Sequence, residues 1–258
     1  MVELLFWPAL VAYGEAAVAL LGEARHPGLA GRLGIWGVRI GWLAQTGLLA
    51  AQAARADGFP WSTWAGALNL FAWLVVGAYL IWGCRPRFRL LGLGVMPVAA
   101  VLLALAYAGG GVGAEGDGPG VLLALHVALM LAAFTGFTLA AGLSAFFLWH
   151  ERRLKRREAT VLRLRVPPLE ALDRLSARTV AVSLAGLTLG IALGLASYAV
   201  DGGRFDPAMA ATLVAWVVYA GFLLLRRVAG LHGRRAAYVS LSGLAVVALI
   251  LPVTHFAA

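Results

Sequence analysis

The sequence predicts an all-α integral membrane protein with about eight transmembrane helices, and three observations carry that expectation. Hydrophobic residues make up 62% of the 258-residue chain and charged residues 13%, far from the roughly 45–50% apolar and 25% charged usage of soluble domains. Apolar stretches of about 20 residues, each long enough to cross a bilayer core as a helix, follow one another with short gaps. The lysines and arginines gather in alternate gaps. A transmembrane β-barrel would need alternating apolar and polar residues, whereas Leu184 to Ala196 is apolar but for Thr188.

The expected spans run over about residues 3–22, 33–53, 64–83, 90–108, 120–149, 179–199, 208–225 and 236–256. Eighteen lysines and arginines fall in the odd-numbered connections and two in the even-numbered ones. Basic residues are retained on the cytoplasmic side, so both termini are expected on the extracytoplasmic side. One helix too many or too few would scramble the alternation, so the same asymmetry supports the count. The formal charge of +9 then reflects membrane topology and not nucleic-acid binding, because no soluble face collects it.

Cys84 is the sole cysteine, which excludes an internal disulfide, a CxxC redox pair and a CxxCH haem attachment in this chain. The stretch Leu4 to Leu21 lacks a basic leading segment and is expected to be a retained helix, not a cleaved signal. The chain is read as one polytopic domain over 1–258 in the cell membrane, with the bilayer as its first partner.

Among the connections, Gly109 to Gly120 is glycine-rich with Glu115 and Asp117, and is expected to be a flexible external loop without chemistry. Gly186, Gly190 and Gly194 share one face of the sixth helix and would let a neighbouring helix approach closely. The basic segment from Glu151 to Arg178 contains Pro167, Pro168 and an amphipathic stretch, Leu169 to Leu175, suited to lie against anionic headgroups.

The topology sorts the five histidines. His26, His150 and His232 fall in or beside inner loops and are expected to be solvated. His126 lies about six residues into the fifth helix, about 9 Å below the outer boundary. His255 lies near the outer end of the eighth. Ionisable groups within spans default to a functional reading, and neutral imidazole is a common axial ligand of haem iron. Two opposed helices suffice to hold a haem between two histidines. In the alternative, His126 hydrogen-bonds a neighbouring helix and His255 is a frayed terminal residue.

A more specific signal runs through Leu154-Lys155-Arg156-Arg157, then Pro167-Pro168-Leu169-Glu170-Ala171-Leu172-Asp173-Arg174-Leu175, then Leu187-Thr188-Leu189-Gly190-Ile191 and Gly194. It resembles the cytochrome c assembly family of membrane proteins that includes CcsA (ResC), HemX and YpjD. In that family a charged inner loop ends in Pro-x-Leu-Glu-x-Leu-Asp before a helix reading Leu-Thr-x-Gly-Ile. Further likeness lies in Gly58-Phe59-Pro60 with Leu70-Phe71-Ala72-Trp73, in Leu125-His126-Val127, and in Trp216-Val217-Val218-Tyr219 with Gly233-Arg234-Arg235-Ala236-Ala237.

The resemblance implies that haem b is handled at the outer face, with a CcsB-like (ResB) membrane partner and apocytochrome c as recipient. In CcsA relatives a tryptophan-rich WWD segment between two external histidines presents the haem. Here the corresponding loop, Tyr198 to Pro207, keeps Asp206-Pro207 with Phe205 in a tryptophan position. Phe205 could stack on a porphyrin face and Arg204 could pair with a propionate, while the plain reading of Arg204 is a loop charge. The other tryptophans, the following Lys-Glu pair and the acidic residue after the third-helix Phe-Pro are absent. These departures point to a divergent member of the HemX or YpjD type.

Two functions compete on this reading. One is haem binding and presentation in cytochrome c biogenesis through His126 and His255, with no catalytic residue of the chain's own and at most a share in a haem-attachment complex. The other is a HemX-like accessory role in regulating haem biosynthesis through the basic inner loop, without haem ligation. A solute transporter has little support, since helix interiors carry almost no charge apart from Glu15 and Arg39 and no broken helix pair is evident.

Overall fold

The computed structural model describes the backbone of residues 2–25, 28–55, 61, 63–83, 85–112, 121–157, 166–201 and 207–256, which contain eight α-helices and no strand. These are α1 (Val2–Arg25), α2 (Leu29–Ala53), α3 (Trp64–Gly83), α4 (Gly92–Ala108), α5 (Val121–Lys155), α6 (Leu169–Asp201), α7 (Pro207–Val228) and α8 (Gly233–Phe256), with a single 3₁₀ turn at Arg89–Leu91 before α4. Six segments are long and apolar enough to cross a membrane: α1, α3, the 3₁₀ turn with α4, α5, α6 and α7. Helix α2 carries Arg32 and Arg39, and the side chains of α8 beyond residue 245 lie outside the described residues. Exposed apolar side chains such as Val18, Val182 and Ile81, each at least 70% accessible, suit a surface solvated by lipid.

The basic connection between α5 and α6 departs from the sequence expectation. Helix α5 continues to Lys155, and α6 begins at Leu169. The amphipathic stretch is thus the first two turns of the sixth helix. Pro168 explains the start, because it accepts from the amides of Ala171 and Leu172 and has no N–H of its own to satisfy. At 1.5 Å per residue α6 is about 50 Å long, about 20 Å more than the hydrocarbon core. Its first turns therefore project from the membrane on the basic side.

The helices divide into two compact units. The first comprises Met1–Ala124 with Ala159–Pro167 and contains α1 to α4. Close packing of α2 on α1 is set by small residues: a Cβ at Gly41 would stand 2.6 Å from the Tyr13 ring, and one at Gly37 would meet Ala12 and Ala16 at 3.3 Å. A buried chain of amides crosses this unit. Tyr13 Oη donates to Gln45 Oε1 at 2.7 Å, Gln45 Nε2 donates to Asn69 Oδ1 at 2.9 Å, and Asn69 Nδ2 donates to Gln52 Oε1 at 3.0 Å. Gln52 Nε2 in turn reaches the carbonyls of Gly111 and Val112, both at 2.8 Å. The start of the glycine-rich loop is consequently fixed: a Cβ at Gly111 would collide with the Ala65 backbone at 2.2 Å. The rest of that loop, 113–120, lies outside the described residues.

The second unit comprises Leu125–Glu158 with Pro168–Ala258. Its core joins Ala133, Phe137 and Ala140 of α5 to Val180 and Leu187 of α6, Tyr219 and Phe222 of α7, and Ala236 of α8. Phe137 and Tyr219 stack with ring centroids 3.8 Å apart.

Each unit is tied at its basic end by one carboxylate. Glu23 accepts from the Gly28 and Gly31 amides at the start of α2, at 2.7 and 3.1 Å, and pairs with Arg89 at 3.3 Å. Asp173 of α6 grips Arg226 of α7 through both oxygens and accepts the Gly233 amide at the start of α8 at 3.0 Å. Gly230, in the left-handed region at φ 62°, turns the chain out of α7 and lets the Leu231 amide bond back to Leu225. Burial raises the Asp173 carboxyl, but the hydrogen bonds from Arg226 and Gly233 and the charges of Arg226 and His232 outweigh it, so the group sits below its ordinary value.

Two outcomes follow from this arrangement. Asp173→Ala should cost about 2–4 kcal/mol, because it strands a mostly buried guanidinium and a helix-end amide, whereas Glu170→Ala, which removes the exposed pair with Arg174, should change stability by under about 0.5 kcal/mol; thermal unfolding in detergent reads both. The depressed carboxyl stabilises the fold above the ordinary carboxylate range, and that contribution should vanish as pH falls through its lowered value. Alkaline phosphatase fused after Gly118 should be active and after Arg157 inactive; the reverse pattern would overturn the orientation inferred from the charge bias.

Candidate functional site

The glycine face of α6 meets α5 along an antiparallel seam. Gly136 of α5 lies opposite Ser183, where a Cβ would stand 1.8 Å from Ser183 Oγ; Gly186 lies opposite Ala133, and Gly190 opposite Met130. Gly194, one turn further along, lies opposite His126, and a Cβ there would come within 2.7 Å of His126 Cε1 and 2.8 Å of Nδ1. The expectation that this stripe packs a neighbouring helix therefore holds, with α5 as the neighbour. At its last step it accepts an imidazole where it had accepted aliphatic groups.

His126 is the sixth residue of α5, half-buried in the outer half by the charge bias. Its Nδ1 lies 2.6 Å from the Gly190 carbonyl oxygen. A carbonyl can only accept, so Nδ1 carries the proton, and in the neutral ring Nε2 keeps its lone pair. The hydrogen bond to a neighbouring helix, one of the two readings of this residue, is thus made, and it uses the nitrogen that a ligand role would not need. An N–H bound to a carbonyl also fixes ring orientation and raises the basicity of the opposite nitrogen, the usual outer-shell arrangement for a ligating histidine.

On the neighbouring α7, Trp216 Nε1 donates to Thr188 Oγ1 at 2.9 Å, and Thr188 bonds back to the Leu184 carbonyl at 2.8 Å. The one polar residue in the Leu184 to Ala196 stretch is in this way an anchor for α7.

The other residues singled out in the sequence distribute differently. Arg204, Phe205 and Asp206 lie outside the described residues, as does the side chain of His255, whose backbone belongs to the last turn of α8. His26 also lies outside them. His232 is exposed, with Nδ1 2.7 Å from the Gly230 carbonyl. His150 corrects the expectation of a solvated side chain: it is 8% accessible, and its Nδ1 is buried without a hydrogen-bond partner. The cause is the continuation of α5 to Lys155, which turns a presumed loop-edge position into an inward-facing one. Glu15 is exposed on α1, while the Arg39 guanidinium stands 5.0 Å over the Trp36 ring on α2.

Sequence reasoning singled out His126 and the glycine spacing, and one of its readings had His126 hydrogen-bond a neighbouring helix, but it did not identify Gly190 as the partner. A carbonyl oxygen has no residue signature, and which helix faces the stripe is a tertiary fact. It also missed the Asp173 hub, although Asp173 ends the Pro-x-Leu-Glu-x-Leu-Asp signature.

The family model described as "Cytochrome C assembly protein" matches residues 61–256, a segment that includes α3 to α8. The cytochrome c biogenesis protein CcsA of Microcystis aeruginosa is 27% identical over 268 residues, covering 83% of this chain and 82% of the relative. The CcsA of a Picosynechococcus strain is 25% identical over 306 residues, covering 94% and 89%. A 28.8 kDa protein of Azospirillum brasilense, named only for its place in a nifR3-like 5′ region, is 30% identical over 145 residues, and the match spans 54% of its length. No solved structure matches. With the matched segment spanning well over half of its length, this multi-pass membrane chain belongs to the cytochrome c assembly family.

Proposed function

We propose that the chain binds haem b near the outer face of the cell membrane and presents it during cytochrome c biogenesis, as a divergent member of the HemX or YpjD type. The observation that carries this reading is the His126 Nδ1 contact with Gly190 O, 2.6 Å, which leaves Nε2 as a lone-pair donor held by a rigid seam. Among the described residues no three His, Cys, Asp or Glu side chains gather to hold a bare metal ion. An isolated histidine suits a cofactor whose macrocycle supplies the remaining donors.

In this reading His126 and His255 would hold the haem iron, and Phe205, Arg204 and Asp206 would help to bind the group, Phe205 by stacking and Arg204 by pairing with a propionate. Haem, when bound, supplies the iron and the vinyl groups that become joined to apocytochrome c. The chain's own part is binding and orientation: the seam sets the His126 ring, the apolar outer half excludes water, and the thiols come from the substrate. A CcsB-like membrane protein is the proposed partner and apocytochrome c the proposed recipient.

Purified protein should show a low-spin bis-histidine haem spectrum that weakens several-fold in His126→Ala and in His255→Ala. Unchanged spectra in both variants would exclude the ligand assignment. Gly194→Ala, which drives a methyl into the imidazole, should lower haem occupancy several-fold, while Gly186→Ala, where the nearest atom is Ala133 Cβ at 3.9 Å, should leave it unchanged; equal occupancy in the two would show that the seam does not position His126. Loss of the gene should lower mature c-type cytochromes. Normal cytochromes with altered early haem precursors would favour the regulatory role instead.

A further inference from the structure

Arg152 of α5 and Arg234 of α8 meet at the basic end of the second unit, and both address the phenol of Tyr238. Arg234 Nη2 donates to Tyr238 Oη at 3.3 Å, with its guanidinium carbon 5.5 Å from the ring centroid, and Arg152 interacts with the same phenol. All three side chains are exposed, Tyr238 to 42%. Two cations brought to one neutral oxygen repel each other, and each guanidinium keeps N–H groups that a phenol cannot satisfy. Glu151 attracts Arg234, but its Oε1 is bound by Lys155 at 2.6 Å. Among the described residues the place therefore holds surplus positive charge, two planar donor forks, and a hydroxyl whose own proton is available to donate. That set matches a singly charged phosphodiester.

Depth decides where such a phosphate comes from. Trp149, one turn before Arg153 and three residues before Arg152, stacks on Phe146 at 5.5 Å and lies under the Arg153 guanidinium at 4.5 Å. Amphipathic aromatics of this kind mark the headgroup level of a bilayer, and Tyr238 belongs to the same set. Two guanidiniums at the place would repel a cationic headgroup such as choline, so a headgroup without a positive charge fits better. We infer that α5 and α8 form a site for the phosphate of an anionic glycerophospholipid of the inner leaflet, held by Arg152, Arg234 and Tyr238. The site is separate from the haem reading and stands without it.

The test uses the full chain in phosphatidylcholine nanodiscs, with phosphatidylglycerol retention measured by native mass spectrometry and by the rise in melting temperature. The parent should retain phosphatidylglycerol, and Arg152→Gln with Arg234→Gln should bind it about tenfold more weakly. Arg85→Gln with Arg87→Gln removes the same charge from another basic connection and should bind as the parent does. Tyr238→Phe keeps the ring and should weaken retention several-fold, which preserves the test if the double arginine variant does not fold. Undiminished retention in the Arg152/Arg234 and Tyr238 variants would overturn the site, as would an equal loss in the Arg85/Arg87 pair. Stabilisation by inorganic phosphate equal to that by phosphatidylglycerol would overturn the lipid as its occupant.

Discussion

A helix end in or beside a bilayer presents amide protons that no water reaches freely, and in each half of this chain one carboxylate answers that demand. Glu23 takes the first amides of α2 and holds Arg89 ahead of α4. Asp173 takes the first amide of α8 and holds Arg226 at the end of α7. Both pairs are 13–15% accessible, so the charges are mutually satisfied where the dielectric is low. Many of the other helix contacts are small residues and apolar surface, which slide easily against one another in lipid. The two hubs help to set the register of the helices in each unit.

Within that frame the two units treat polar groups in opposite ways. In the first, Tyr13, Gln45, Asn69 and Gln52 satisfy one another in a closed chain that ends on loop carbonyls, an arrangement suited to rigidity. In the second, the seam that packs α6 on α5 stops short of using up its polar group: Gly190 takes one nitrogen of His126 and leaves the other. A histidine placed purely for packing is satisfied by one such bond. A histidine placed as a ligand needs that same bond to fix its ring and tautomer.

Much of this was legible in the residues. The helix count and the basic asymmetry rest on composition that any membrane must enforce, and the glycines at 186, 190 and 194 announced a close helix contact. The ends of α5 and α6 were harder, because a basic amphipathic stretch such as Leu169 to Leu175 reads equally well as a surface segment or as the protruding turns of a long helix. His150 was misread for the same reason, its exposure being decided by where α5 stops. The partners of Asp173 and His126 include backbone groups, an amide and a carbonyl, which every residue carries and no pattern marks.

The proposed role of His126 is to supply an imidazole to the haem iron and little else. Chemical rescue tests it directly: His126→Gly removes the side chain and opens the place it occupied, and low-temperature electron paramagnetic resonance reads the haem spin state. A low-spin signal is expected in the parent, with its loss in His126→Gly and its return when free imidazole is added. A low-spin signal that persists in the variant without imidazole would contradict it.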